Sequence, residues 1–291
     1  VRSKVNILGS YWTLAAGTAP LGLEVCAHDI GERVECAARA GYAGMGFWHA
    51  DLAHLKETIG FGELNAILQA NGIVDIEVEW LNGWYGAGEV RAASDRTRAL
   101  LLEAAEAIGA RHIKVSDLAN VDVPLERMIE EFAVLCAQAA DRGTNVLFEM
   151  LPADFSSLPS LDLVLALTRG AGAANGGIML DNLHILRTAT PFSDIVAKLT
   201  PTDLIGVEIN DGVLARPVDF MDSVVNRRLL PGDGEFDIAG FMRAVWDAGY
   251  DGPVGVEVMN EYCRHWDIRT MAEVSFSKTN AVLEAARTPL A

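Results

Sequence analysis

Four short apolar runs in the second half of the chain each end in a carboxylate. Val146-Leu147-Phe148 leads into Glu149, Ile178-Met179-Leu180 into Asp181, Ile205-Gly206-Val207 into Glu208, and Val254-Gly255-Val256 into Glu257. A buried carboxylate is costly to desolvate, and several brought together repel one another. A divalent cation at their centre resolves that conflict. Any one of the four alone could instead cap a helix or pair with a neighbouring arginine. As a set, they point to a metal centre.

Other polar residues fall beside similar apolar runs. His49 follows Gly46-Phe47-Trp48, where it would bind substrate, act as acid or base, or hydrogen-bond in a pocket wall. Glu77 and Glu79 have the two-residue spacing that puts both on one face of a strand. Lys114 interrupts an apolar run, suited either to a substrate-binding place at the site or to pairing with Glu77 or Glu79. His184 follows closely on Asp181 and reads as a substrate or supporting residue. His28, His54 and His112 read as surface or capping residues. Trp12, Trp48, Trp80 and Trp84 would form an apolar wall over a ring-shaped substrate, or simply core.

The elements that must position these groups alternate along the chain. Strand-like runs fall at 5–9, 43–48, 73–81, 111–116, 145–150, 177–180, 204–209 and 253–258. Helical patterns fall at 29–40, 52–70, 89–108, 124–140, 161–171, 191–199, 238–248 and 267–286. Strict alternation implies a parallel sheet with helical crossovers, and continuous hydrophobic strands imply cover on both faces. Eight such units in 291 residues predict an α/β fold, a single (β/α)₈ TIM barrel spanning 1–291. In such a barrel, functional groups sit where strands pass into the following loops, which is where the four carboxylates fall. A doubly wound sheet is disfavoured, because Ser10-Tyr11-Trp12 replaces a glycine-rich turn after the first strand.

Composition narrows the function classes. The chain is 51% hydrophobic and carries 23 Lys and Arg against 40 Asp and Glu, a formal net charge of −17. That excess argues against nucleic acid or an anionic membrane as a partner. No apolar stretch is long enough to span a bilayer, and residues 1–10 lack a signal-peptide core. The four cysteines Cys26, Cys36, Cys136 and Cys263 show no metal or disulfide spacing and read as reduced thiols, so the expected location is cytoplasmic.

Several segments carry a family resemblance. These are Phe148-Glu149-Met150-Leu151-Pro152, Leu180-Asp181-Asn182-Leu183-His184 with Arg187, Val207-Glu208-Ile209-Asn210-Asp211, Arg228-Leu229-Leu230-Pro231-Gly232-Asp233-Gly234 and Gly255-Val256-Glu257-Val258. Together they resemble the xylose isomerase-like TIM barrel superfamily, which includes sugar phosphate isomerases and epimerases, inosose dehydratases, 3-dehydroshikimate dehydratases and endonuclease IV. The likeness is sharpest over 144–260.

The resemblance implies that Glu149, Asp181, Glu208 and Glu257 hold one divalent cation. It also implies that His184 and Arg228 contact substrate oxygens. The sequence departs from the family pattern at Glu208, where the usual ligand is a neutral histidine or glutamine. Four carboxylates favour Mn²⁺ or Mg²⁺. Alternatively, Glu208 serves as acid or base.

The implied chemistry is proton abstraction next to a carbonyl with a metal-stabilised enediolate, Glu149 and Glu257 being the acid and base. Isomerisation or epimerisation of a keto-sugar is the first expectation. Dehydration of a cyclic polyol or a 3-dehydroshikimate-like acid is the second, with Arg228 and Lys114 suited to a substrate carboxylate. Endonuclease activity fits poorly, since six scattered histidines do not supply a multi-zinc cluster. A non-catalytic barrel would bind no metal tightly. Many relatives assemble as dimers or tetramers, so a homo-oligomer is in keeping with the resemblance.

Overall fold

The computed structural model describes residues 5–118 and 121–288. The first residues of the 1–10 run lie outside that set, as does the very end of the chain. Eight parallel strands close into a barrel in sequence order. They are β1 (Ile7–Gly9), β2 (Gly44–Trp48), β3 (Asp75–Leu81), β4 (His112–Val115), β5 (Asn145–Glu149), β6 (Gly176–Asp181), β7 (Leu204–Ile209) and β8 (Val254–Val256). β8 pairs with β1 to complete the ring.

Helices cover the outside. The helix Ile30–Ala40 starts at Asp29, whose carboxylate accepts from the Glu32 N–H, and stops at Gly41 in the left-handed conformation (φ 112°). The 52–70 pattern, expected as one helix, is two: His49–Thr58 and Gly60–Ala70. The break falls at Gly60, whose φ of 78° is incompatible with continuing the first helix. Short helices at Tyr11–Leu14, Asn182–Arg187 and Phe220–Asn226 lie in loops that follow strands and carry little periodic signal.

The strands depart from the expected continuous hydrophobic runs. Outward positions such as Val78, Ile113, Phe148, Leu180 and Val207 join the main core between barrel and helices. Their neighbours on the opposite face are Glu77 and Glu79 on β3, His112 and Lys114 on β4, Glu149 on β5, Asp181 on β6 and Glu208 on β7, all buried. A smaller cluster of Leu147, Met179 and Ile205 is separate from the main core. Barrel interiors are ordinarily filled by branched aliphatic side chains. Charge in that place marks function or internal pairing.

Candidate metal centre

Register brings the carboxylates together. Asp181 is the partner of Glu208 across β6 and β7, and Glu149 is the partner of Met179 across β5 and β6. Glu208 faces Gly255 across β7 and β8, and the Glu257 N–H bonds to the Ile209 carbonyl just beyond. A Cβ on Gly255 would stand 2.6 Å from Glu208 Cγ, so glycine leaves the room that the Glu208 side chain occupies. One oxygen from each of Glu149, Asp181, Glu208 and Glu257 lies within 4.8 Å of all the others, and all four residues are buried. Glu149, Asp181 and His184 form a second such group. An all-carboxylate oxygen set of this size fits a hard divalent cation.

Two cationic side chains hold this cluster. Lys114, 1% exposed, places Nζ 2.9 and 3.0 Å from the two Glu208 oxygens and 3.3 Å from Glu257 Oε1. The same ammonium reaches Glu79 Oε2 at 2.8 Å and Glu77 Oε1 at 3.4 Å. The pairing with Glu77 and Glu79 weighed from the sequence is therefore present and extends to Glu208 and Glu257. Arg228 Nη1 lies 2.7 Å from both Asp181 Oδ2 and Glu257 Oε2, while its Nε donates to the Val224 carbonyl. Among the described residues, Glu149 is the one carboxylate of the four without a lysine or arginine partner. Its neighbour is His184 Nε2 at 3.5 Å.

Burial and like charge act on the titrating groups. Burial, then the Glu257 charge, hold the Glu208 carboxyl well above the usual range despite Lys114. Burial also raises Glu257. Burial pushes Glu79 up to about 8, aided by Glu77 and Glu257. Glu77 runs the other way: Lys114 and His112 outweigh its burial and hold it down at about 2. Lys114 and Arg228 are both raised, because the carboxylates around them outweigh burial.

Supporting residues escaped the sequence reading. Asn210 Nδ2 donates to both oxygens of Asp181, at 2.9 and 3.1 Å. Asp181 also accepts from the Leu183 N–H at 2.7 Å, capping the helix Asn182–Arg187 that carries His184. Asp211 accepts from the N–H groups of Gly212, Gly232 and Phe236 and so ties the loop that returns to Arg228. The side-chain amide two residues after Glu208 was visible in the Asn210-Asp211 motif, but its direction was not.

His112, expected at the surface, is 3% exposed, with Nε2 2.6 Å from Glu77 Oε2. Its place on β4, two residues before Lys114, puts it on the inner face. His49 lies outside the carboxylate cluster. Its Nδ1 accepts from the Trp80 N–H at 3.4 Å, and its ring centre stands 4.7 Å from that of Trp48. Burial lowers its pKa. Trp12, Trp48 and Trp80 form a run of adjacent rings, with centroids 4.9 and 6.1 Å apart. Trp84 is core instead: it is fully buried against Phe132 and Phe148.

A family model described as a xylose isomerase-like TIM barrel matches residues 34–280. The chain belongs to the xylose isomerase-like TIM barrel family. Among curated members, a 3-dehydroshikimate dehydratase of Pseudomonas aeruginosa is 26% identical over 233 residues, covering 79% of this chain and 36% of that protein. The chain thus spans about a third of that relative's length. Among solved structures, the IOLI protein with a bound zinc atom superposes with a TM-score of 0.80 at 13% identity, covering 98% of this chain and all of the other. An L-ribulose 3-epimerase superposes with a TM-score of 0.73 at 17% identity, covering 98% and 96%. At such identities these two likenesses speak for the fold alone. Among the described residues, no helix is long and apolar enough to cross a membrane.

Proposed function

We propose that the chain is a divalent-metal-dependent enzyme that removes a proton from the carbon beside a carbonyl in a small polyhydroxylated substrate. The observation that carries this reading is the division of labour in the cluster. Asp181, Glu208 and Glu257 are clamped by Lys114 and Arg228, whereas Glu149 faces His184 and, among the described residues, pairs with no lysine or arginine. Glu149, Asp181, Glu208 and Glu257 would hold the cation, Mn²⁺ or Mg²⁺ by ligand hardness. When bound, it supplies Lewis-acid polarisation of the carbonyl oxygen.

Dehydration of a 3-dehydroshikimate-like cyclic acid is the leading reaction, ahead of the keto-sugar isomerisation or epimerisation that the sequence put first. The curated relative's activity moves it forward. Glu149 takes the proton from carbon at Oε1, and His184 gives a proton from Nε2 to the β-hydroxyl, which leaves as water. The 3.5 Å between these atoms lets a proton pass back and reset both groups. Trp12, Trp48 and Trp80 supply a wall against which a ring can lie, with His49 beside them. Arg228 orients substrate oxygens while it holds Asp181 and Glu257. For epimerisation, the proton would return to the opposite face of the same carbon, with Glu257 as second acid. The four free, buried cysteines are in keeping with a reducing, cytoplasmic home.

The test is the Mn²⁺-loaded protein incubated in D₂O with 3-dehydroshikimate, inososes and ketoses, followed by NMR and ultraviolet absorbance. A conjugated product from 3-dehydroshikimate supports dehydration. Deuterium at a carbon beside a carbonyl in a ketose favours epimerisation. Neither change in any substrate overturns the proton-abstraction reading.

A further inference from the structure

We infer that Lys114 is a built-in counter-ion that allows Glu208 to act as a fourth carboxylate in the metal cradle. The inference rests on the metal-site reading above and concerns the charge balance of that site. A fourth carboxylate makes the centre one charge more negative than a neutral ligand would. In a buried site that surplus is expensive unless it is paired. The Lys114 ammonium meets Glu208 through both oxygens, at 2.9 and 3.0 Å, and is itself 1% exposed.

Within the four-carboxylate cradle, its cation and its two cationic partners, the charges then sum to zero. The carboxylates Glu149, Asp181, Glu208 and Glu257 bring four negative charges. A divalent cation brings two positive charges, and Lys114 and Arg228 one each. Two acids outside the cradle also meet the ammonium, and of these Glu77 is shared with His112. Glu79 Oε2 lies 2.8 Å from the same Nζ.

Lys114 is accordingly a positioning residue. It sets how strongly the cradle attracts a cation, and its ammonium is engaged by carboxylates rather than presented to substrate. Removing it leaves an uncompensated negative charge, which destabilises the metal-free protein and attracts the cation more strongly. Neutralising Glu208 does the opposite to affinity. Removing both charges together restores the balance.

The experiment is Mn²⁺ titration by calorimetry on chelator-stripped protein, with thermal unfolding in the absence of metal. It compares wild type, Lys114→Met, Glu208→Gln and the double variant. The expected results are about tenfold tighter Mn²⁺ binding for Lys114→Met and about tenfold weaker binding for Glu208→Gln. The double variant should bind within about threefold of wild type, with a metal-free Tm above that of Lys114→Met. If Lys114→Met does not fold, Glu208→Gln and its rescue by the double variant carry the test. Wild type that binds Mn²⁺ while Lys114→Met leaves affinity unchanged or weaker, or a double variant that fails to recover, overturns the counter-ion role alone. Wild type that takes up no Mn²⁺ overturns the metal reading and the inference with it.

Discussion

At the scale of single residues, four buried acids of similar type have different surroundings, and the proposed roles follow from those surroundings. Glu257 is gripped by Lys114 and Arg228, and Glu208 by Lys114, so both side chains are held more firmly than that of Glu149. Glu149 pairs with His184 and, among the described residues, with no lysine or arginine. Glu149→Gln should cut turnover at least about a hundredfold while leaving Tm within ~3 °C of wild type. Retained turnover would remove Glu149 from the proton-transfer role. Asp181 is a holding residue as well as a proposed ligand, because it accepts from Arg228, Asn210 and the Leu183 N–H. Asp181→Asn should therefore destabilise by about 2–4 kcal/mol in urea unfolding. A change within experimental error would mean that Glu257 alone satisfies Arg228. Glu79 offers a pH test. Its folded pKa of about 8 lies above the ordinary 4.5, so its contribution to stability is full below 4.5 and is lost as pH rises through 8. Glu79→Gln lacks that loss, and its stability relative to wild type should increase from pH 5 to pH 9. Parallel pH profiles would contradict the shift.

At the scale of elements, the site is a product of strand register and of small residues that make room. Gly255→Ala would drive a Cβ to 2.6 Å from Glu208 Cγ, a side chain already fixed by Lys114. The expected cost is about 1–3 kcal/mol, together with weaker Mn²⁺ binding. Unchanged affinity would show that Glu208 can move without harm to the cradle. Much of this was legible in the sequence. An apolar run ending in an acid, repeated on consecutive strands, gave Glu149, Asp181, Glu208 and Glu257 without coordinates, because strand ends in a barrel share one mouth. The inner-face pairing of Glu77 with His112 and the reach of Lys114 across to β7 and β8 were not legible. The first depends on the register of β3 with β4, and the second on barrel closure, which joins residues 94 and 143 positions apart. Local pattern cannot supply them. The break at Gly60 was similarly hidden, since an apolar stripe continues through Phe61 and Leu64 on the far side.

At the scale of the whole molecule, the barrel concentrates a part of the −17 formal charge in its interior. Five acids pair with Lys114 and Arg228 there, and Glu149 lies beside His184, so on the proposed reading a divalent cation relieves repulsion inside the metal-free protein. Chelation should lower Tm by several degrees, and Mn²⁺ or Mg²⁺ should restore it, whereas monovalent salt at equal ionic strength should not. A Tm indifferent to chelator would mean that Lys114 and Arg228 alone suffice. The chain spans about a third of its curated dehydratase relative, so this barrel corresponds to one portion of that longer protein. The most direct test of the metal centre is an anomalous difference map, at the manganese edge, from crystals of the chain grown with Mn²⁺. The expected result is one peak per chain in contact with Glu149, Asp181, Glu208 and Glu257. A map with no peak among those four carboxylates, or with its peak elsewhere, would contradict it.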